Sequence, residues 1–400
     1  MRSVLLVALF FAGVALSQES EDVLGLIPAD LREEVKATLD VAGENRTELE
    51  RFLRAVREER RRAAAFLVAF MPESMAASVK CDDLLSEFRL AYEAREHFPW
   101  GKKIPDEVFM QYVLPNASSQ EPFEKFRAYL LPRMKEALAG CRTLEEAALE
   151  VNRWCGAHFR FKPTQRRDQG VFENLKRGYG RCEEMSILYM AAARSACIPA
   201  RHVWTPYWAN MDNNHAWVEV WIDGHWKYLG ACEPADRLNK AWFTSAAKHA
   251  ALVLALAYGK LKTDEEVYRY LPRCTIVNAT KWYSKTCDTH IRLLDREGKP
   301  IEDRNIFICV FNFGALLPIA RLKTDKEGRA RITLGIGEFF VTSSNDGDFA
   351  VKKIRTEPDK KVEVTVRMGR DRLPEGYISV SYTHLRAHET RHDLVCRLLL

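Results

Sequence analysis

The hydrophobic pattern of this chain changes period partway along, and no single-class architecture accommodates both ends. Within residues 18–140 the apolar side chains recur at helical spacing, with Leu49, Phe52, Leu53 and Val56 at i, i+3, i+4 and i+7 of one stripe. Asp30-x-x-Glu33 and Thr47-x-x-Glu50 read as capping boxes, and Thr143-x-x-Glu146 starts a further helix through Val151 and Trp154. From about residue 272 the period is two. Segments 306–311, 329–334 and 362–366 alternate with turn signals at 295–300, 325–328 and 345–348. Short strands at such regular spacing predict a β-sandwich. The expected class is α+β, with a helical region first and a C-terminal β-sandwich over 272–370. Four hundred residues of 47% hydrophobic content can supply cores for two or three such units.

Between these regions, over 141–271, lie the residues with chemistry. A glycine-punctuated loop, Gly178-Tyr179-Gly180-Arg181, runs into an uninterrupted helix-forming segment that begins at Cys182. A cysteine in the first helical turn meets free N–H groups and the positive end of the helix dipole, which favour thiolate, and Arg181 adds to that effect. Glu183 and Glu184 push the other way. A helical cysteine is more often a small buried apolar residue, so Cys182 gains weight only from a histidine further along the chain. From His215 the chain reads as a strand, a two-residue Asp223-Gly224 turn and a second strand from His225. If Ile222 pairs with His225, His215 faces Cys232 beside Glu233. Strict alternation would turn Glu233 to the opposite face, so a triad of Cys182, His215 and Glu233 requires a bulge at Gly230-Ala231.

Gly180-Arg181-Cys182, then Ile198-Pro199-Ala200-Arg201, His215-Ala216-Trp217-Val218-Glu219-Val220, Asp223-Gly224-x-Trp226 and Glu233-Pro234 together resemble the core domain of the transglutaminase-like superfamily. The resemblance spans roughly residues 140–245. It implies a papain-like core, a Cys-His-Asp triad, and activity as a cross-linking transglutaminase, a peptide:N-glycanase or a bacterial protease or amidase. The family's aspartate falls by simple count on Gly230, whereas the acid beside a proline is Glu233. That Glu-Pro wording resembles a secreted bacterial branch, and it moves the orienting role onto Glu233; the alternative is a Cys182–His215 dyad with Glu233 as a solvated loop acid.

The chemistry so implied is acyl transfer. His215 takes the Cys182 proton, the sulfur attacks an amide or ester carbonyl, and water or an amine resolves the thioester. The Cys182 backbone N–H is the first candidate donor for the developing oxyanion, and Gln165, in a polar loop, is a possible oxyanion donor beside it. Trp204, Trp208, Trp217 and Trp221 are expected in core and cleft walls. His202 and His225 read as surface or structural residues. No cofactor is implied. The expected substrate is a protein, peptide, glycopeptide or cell-wall amide, with a catalytically weak binding or assembly module and true protein cross-linking as the two alternatives.

The N-terminus, Met1-Arg2-Ser3 followed by a dozen apolar residues and small residues at Ala15 and Ser17, reads as a signal peptide over 1–17. Export to the periplasm, cell surface or medium is therefore expected. An oxidising compartment permits disulfides, for which Cys274 with Cys287 and Cys81 with Cys141 are candidate pairs. No later apolar stretch approaches the roughly twenty residues of a membrane span. A net charge of +5, with the one short run Arg60-Arg61-Arg62 behind two glutamates, argues against nucleic acid as a partner. Zinc is not expected, for paired C-x-x-C is absent. His384, His388 and His392 share four-residue spacing but lie in 381–400, which breaks the preceding pattern and resembles read-through sequence; the natural chain is expected to continue past about residue 380.

Overall fold

The computed structural model describes residues 23–164, 168–345 and 348–372; the signal-peptide segment, Gln165 and the 381–400 tail lie outside the described residues. The helical region opens with α1 (Arg32–Val41), α2 (Arg46–Ala55), α3 (Arg61–Phe70) and α4 (Cys81–His97). The predicted stripe of Leu49, Phe52, Leu53 and Val56 is buried. α3 is buried on every side from Ala63 to Phe70 and is the hub around which its neighbours pack. The two capping boxes expected at Asp30 and Thr47 do not form. Short 3-10 turns, Ala29–Leu31 and Gly43–Asn45, lead directly into α1 and α2, and no side chain caps either helix.

Thr143 does cap. Its hydroxyl accepts the Glu146 N–H at 3.2 Å while the Glu146 carboxylate accepts the Thr143 N–H at 3.1 Å. That box starts α6 (Leu144–His158), which follows α5 (Phe126–Ala137). A two-residue parallel pair, β1 (Arg160–Phe161) with β2 (Tyr179–Gly180), then delivers the chain to α7 (Cys182–Ser195). Every residue of α7 after Cys182 is buried, because α5, α6 and the main sheet all pack on it. Near its end the Arg194 guanidinium, itself buried, donates to the carbonyls of Tyr112, Pro115, Ala117 and Ala200 at 2.8–3.3 Å, which ties the helical region to the sheet.

The main sheet contains β3 (Ala200–Thr205), β4 (His215–Ile222), β5 (His225–Leu229), β6 (Leu254–Tyr258), β7 (Glu266–Tyr270) and β8 (Cys274–Asn278), antiparallel throughout in the order β5-β4-β3-β6-β8-β7. Ile222 pairs with His225 as the turn signal predicts, and Asp223 and Gly224 take φ of 48° and 93°, the backbone of a primed hairpin turn. The apolar stretch 250–258 ends in β6, inside the sheet. Among the described residues no helix is long and apolar enough to cross a membrane.

Beyond residue 280 the chain is strand-rich. It forms a three-stranded sheet, β12-β9-β15, from β9 (Thr286–Leu294), β12 (Arg329–Gly335) and β15 (Lys361–Arg367). A four-stranded one, β11-β10-β13-β14, comprises β10 (Asn305–Asn312), β11 (Ala315–Lys323), β13 (Glu338–Asn345) and β14 (Asp348–Arg355). Neither sheet closes on itself. Both feed one apolar cluster that also takes in Trp204, Tyr207 and Ala216 of the main sheet and its loop, with Cys182 at its margin.

All nine cysteines in the described residues are free thiols, so neither expected disulfide exists. Cys274 opens β8 and Cys287 lies in β9, two strands of different sheets. Cys81 is buried at the head of α4, whereas Cys141 is half-buried in the loop before Thr143.

Candidate active site

Arg181 is the residue that begins α7, with its own N–H donated to Glu184 Oε2 at 2.5 Å. Its guanidinium donates to Glu184 Oε1 at 2.6 Å and to Asp168 Oδ1 at 2.8 Å. Cys182 therefore occupies the first helical position, as predicted. The backbone N–H groups of Ala216 and Glu183 lie near enough to its sulfur to favour the anion. Ala216 is the neighbour of His215 at the start of β4, so the sulfur and the imidazole-bearing residue come to the same end of the sheet.

Of the opposing influences expected on Cys182, those against the thiolate prevail. Burial first, and then the Glu183 charge, push the Cys182 thiol up to about 12. The two N–H contacts and Arg181 oppose this and lose, because the guanidinium is already neutralised by two carboxylates.

His215 is 8% exposed and sits in an aromatic cage. Phe243 lies 4.7 Å from its ring at 63°, Trp242 4.9 Å at 59°, Trp217 5.7 Å at 25° and Trp208 6.3 Å at 27°. Desolvation by these rings drives the imidazole down to about 3, against a weak opposing pull from Glu183. The pair at rest is thus neutral thiol and neutral imidazole.

The bulge required at Gly230-Ala231 is absent. The β4–β5 ladder ends at Val218 with Leu229, after which Gly230 to Glu233 form a turn closed by a 3.1 Å bond, with Cys232 at a φ of 57°. His215 does not face Cys232; it pairs with Thr205 of β3. Glycine here marks the end of a strand, and the α6 side chain Asn152 fixes the turn by donating to the carbonyls of Gly230 and Glu233 at 3.0 and 2.9 Å. Burial pushes the Glu233 carboxyl up to about 7, against the opposing pull of the nearby Trp242 indole. Among the described residues no hydrogen bond joins Glu233 to His215. Instead Trp242 touches both. Three buried polar atoms around the cage have no hydrogen-bond partner: His215 Nε2, Glu233 Oε2 and Trp208 Nε1. Such orphans are rare in folded proteins and concentrate where function needs an uncommitted group.

The sequence missed Trp242 and Phe243, which reach the imidazole from a loop well past the hairpin; a pair of adjacent aromatics in a loop was the available signal. His202, expected as surface or structural, is buried, while His225 is exposed. The His202 ring stacks 5.4 Å from Trp204, and Nε2 lies 3.2 Å from Glu183 Oε1, near enough for an ion pair but off the hydrogen-bond line. Ser119 Oγ lies 3.0 Å from Glu183 Oε1 and 3.2 Å from Asp168 Oδ2, with a single proton to share between them. Glu183 raises the His202 pKa against the pull of burial, whereas burial and then Glu183 push Asp168 up to about 7. A polar network thus lies directly behind the sulfur. On the other face of β3 and β4, the motif residues Arg201 and Glu219 form a buried ion pair at 2.6 Å, extended by Glu265 at 2.7 Å. Tyr283 donates to Glu219 and accepts the Trp217 indole N–H at 2.9 Å, which locks the ring beneath His215. Among the described residues no cluster of His, Cys, Asp or Glu could hold a metal ion.

Residues 132–231 match the family model of the transglutaminase-like superfamily core, so a partial transglutaminase-like domain is present there. No curated protein matches the chain. Among solved structures it is similar to a candidate cysteine protease from Cytophaga hutchinsonii, at 18% identity and a TM-score of 0.25 over 38% of this chain and 58% of that one. It is also similar to a candidate protease from Parabacteroides distasonis, at 10% identity and a TM-score of 0.25 over 68% of this chain and 52% of that one. The chain therefore spans little more than half the length of either.

Proposed function

We propose that this protein is an exported thiol-dependent acyl-transfer enzyme that hydrolyses amide bonds of peptides, glycopeptides or cell-wall material. The observation that supports it is the placement of the Cys182 sulfur at the start of α7 near the N–H of Ala216, the residue next to His215, inside the segment similar to the transglutaminase-like core. With both groups neutral at rest, His215 acts as general base, taking the thiol proton as sulfur attacks the carbonyl. The S–C bond forms and the C–N bond breaks as the imidazolium gives its proton to the leaving amine; water, deprotonated by His215, then cleaves the thioester to free acid and restores the thiol. In this reading Glu233 would orient the ring by bringing Oε2 to Nε2, two atoms that are both unpaired in the resting structure. The Cys182 N–H at the start of α7 is the first oxyanion donor; Gln165 remains the candidate for the second. The helical region, the catalytic core over 141–271 and a sandwich-like accessory module over 272–370 are the units of this reading.

One observation favours a second reading, a binding or assembly module with little turnover: the raised thiol, with no hydrogen bond to His215. Iodoacetamide separates the two. Under the enzyme reading His215 takes the Cys182 proton as the sulfur attacks, so despite its raised pKa Cys182 alkylates faster at neutral pH than the other thiols, and His215→Ala removes the advantage; equal rates for all thiols overturn it. Incorporation of an amine into a glutamine-containing acceptor would make the enzyme a cross-linker, whereas release of free acid alone assigns hydrolysis.

A further inference from the structure

The tip of the β10–β11 hairpin reaches the loop that enters His215. Asn312 is fully buried at the end of β10, and Phe313 and Gly314 turn the chain with φ of 49° and 74°. Its carboxamide is spent entirely on the β3–β4 loop. Nδ2 donates to the carbonyls of Trp208 and Met211, both at 2.9 Å, and Oδ1 accepts the Asn213 N–H at 3.1 Å. Next to it, the Phe313 N–H donates to Asp212 Oδ1 at 2.7 Å. The loop is closed on itself by the Trp208 N–H donating to the Asn213 carbonyl at 3.0 Å.

Two features make this more than domain packing. Asn213 takes a φ of 111°, a conformation that costs a non-glycine residue on the order of 1–3 kcal/mol and persists only where neighbours over-determine it. It stands two residues before His215. Trp208, whose carbonyl Asn312 holds, is also a wall of the imidazole cage. One buried amide thus fixes the backbone that leads into His215 together with a ring that shields it. Ala209 and Asn210 of the same loop and Phe311 and Leu316 of the same hairpin line one cleft of about 740 Å³, so the amide also sets the separation of those walls.

We propose that Asn312 is a positioning residue for His215, and that the strand-rich C-terminal region is in this way part of the active site. The proposal rests on the reading of Cys182 and His215 as the reacting pair, but its test does not. Following the His215 imidazole by heteronuclear NMR through an acid titration, with the resonance assigned by its loss in His215→Asn, reports whether the cage stays closed. The Glu183 carboxyl, whose charge acts on the imidazole, and the proposed partners Cys182 and Glu233 are unchanged in every variant. Asn312→Ala and Asn312→Asp, which lacks both donors, should raise the His215 midpoint by about one to two pH units toward its ordinary value. Asp212→Ala, an exposed change, should shift it less in the same direction, and decides the matter if the Asn312 variants do not fold. Wild-type midpoints in the folded variants would overturn the proposal. Alkylation of Cys182 in the same wild-type sample tests the enzyme reading separately, since an inert Cys182 sinks that reading while the midpoints still judge Asn312.

Discussion

His202 and His215 lie on adjacent strands, are almost equally buried, and carry opposite charge tendencies. His202 stands against Glu183, with Asp168 close behind, and its pKa is raised despite burial. His215 has four aromatic rings packed about it and falls to about 3. Burial alone therefore does not set the charge of a histidine here; the nature of the wall does. An aromatic wall removes water without replacing its hydrogen bonds, while a carboxylate wall replaces them with something stronger. Cys182 sits between the two environments and borrows from both: the apolar side dries it, and Glu183 on the polar side discourages its anion.

The comparison breaks most completely at the sulfur. Cys182→Ala should abolish acyl transfer, by a factor of at least about 10³, and remove fast alkylation; retained turnover would leave the pair of histidines without a reaction to serve. Next come the supports of the apolar wall. Arg201→Ala strands Glu219 and Glu265 in the interior and frees Trp217, at a cost of about 3–5 kcal/mol in urea unfolding. Phe243→Ala should cost a similar amount by opening a cavity, and should also raise the His215 midpoint, which Arg201→Ala does only if Trp217 moves.

The pH dependence of stability has a definite sign. Between pH 6.5 and about 3 the unfolded chain binds a proton that folded His215 refuses, so its contribution is whole above 6.5 and is lost as pH falls. Asp168 and Glu233, both pushed up to about 7, contribute oppositely: their stabilisation is present at acid pH and is lost as pH rises through 7. His202 shares their sign. These terms overlap, and comparison with His215→Asn isolates the first, since the others are common to both proteins. Wild-type stability should fall relative to that variant by on the order of 4 kcal/mol between pH 6.5 and 3. Parallel curves would mean that the cage admits water.

The features legible beforehand were those decided locally. The helix beginning at Cys182, the strand from His215 and the Asp223-Gly224 turn are set by glycine placement, period and turn chemistry within a few residues. The bulge expected at Gly230-Ala231 is not there because the strand-period argument assumed that β5 continues past Leu229, whereas Asn152 on α6, distant in sequence, holds Gly230 to Glu233 in a turn. The balance at the Cys182 thiol was not legible for a related reason. The helix dipole is a local feature, but the carboxylates that neutralise Arg181 and the dry surroundings of the sulfur are tertiary. Trp242, Phe243 and Asn312 reach the site from loops and a hairpin tip, and no periodicity states what a hairpin tip will touch.

Glu183→Gln gives the finest test of the contrast. The amide keeps the size of the side chain and can still accept from Ser119, so packing should survive while one buried charge disappears. That charge adds to burial in raising the Cys182 thiol, opposes burial at His202, and is a weak upward pull on His215. All three groups should therefore titrate lower, by about one pH unit for Cys182 and His202, or about 1.4 kcal/mol each, and by less for His215. The thiol is followed by the pH dependence of alkylation and the imidazoles by NMR. A Cys182 profile that stays in place would mean that desolvation alone holds the proton on sulfur. The two sides of the site would then act independently, and the carboxylate wall would have no part in setting the nucleophile.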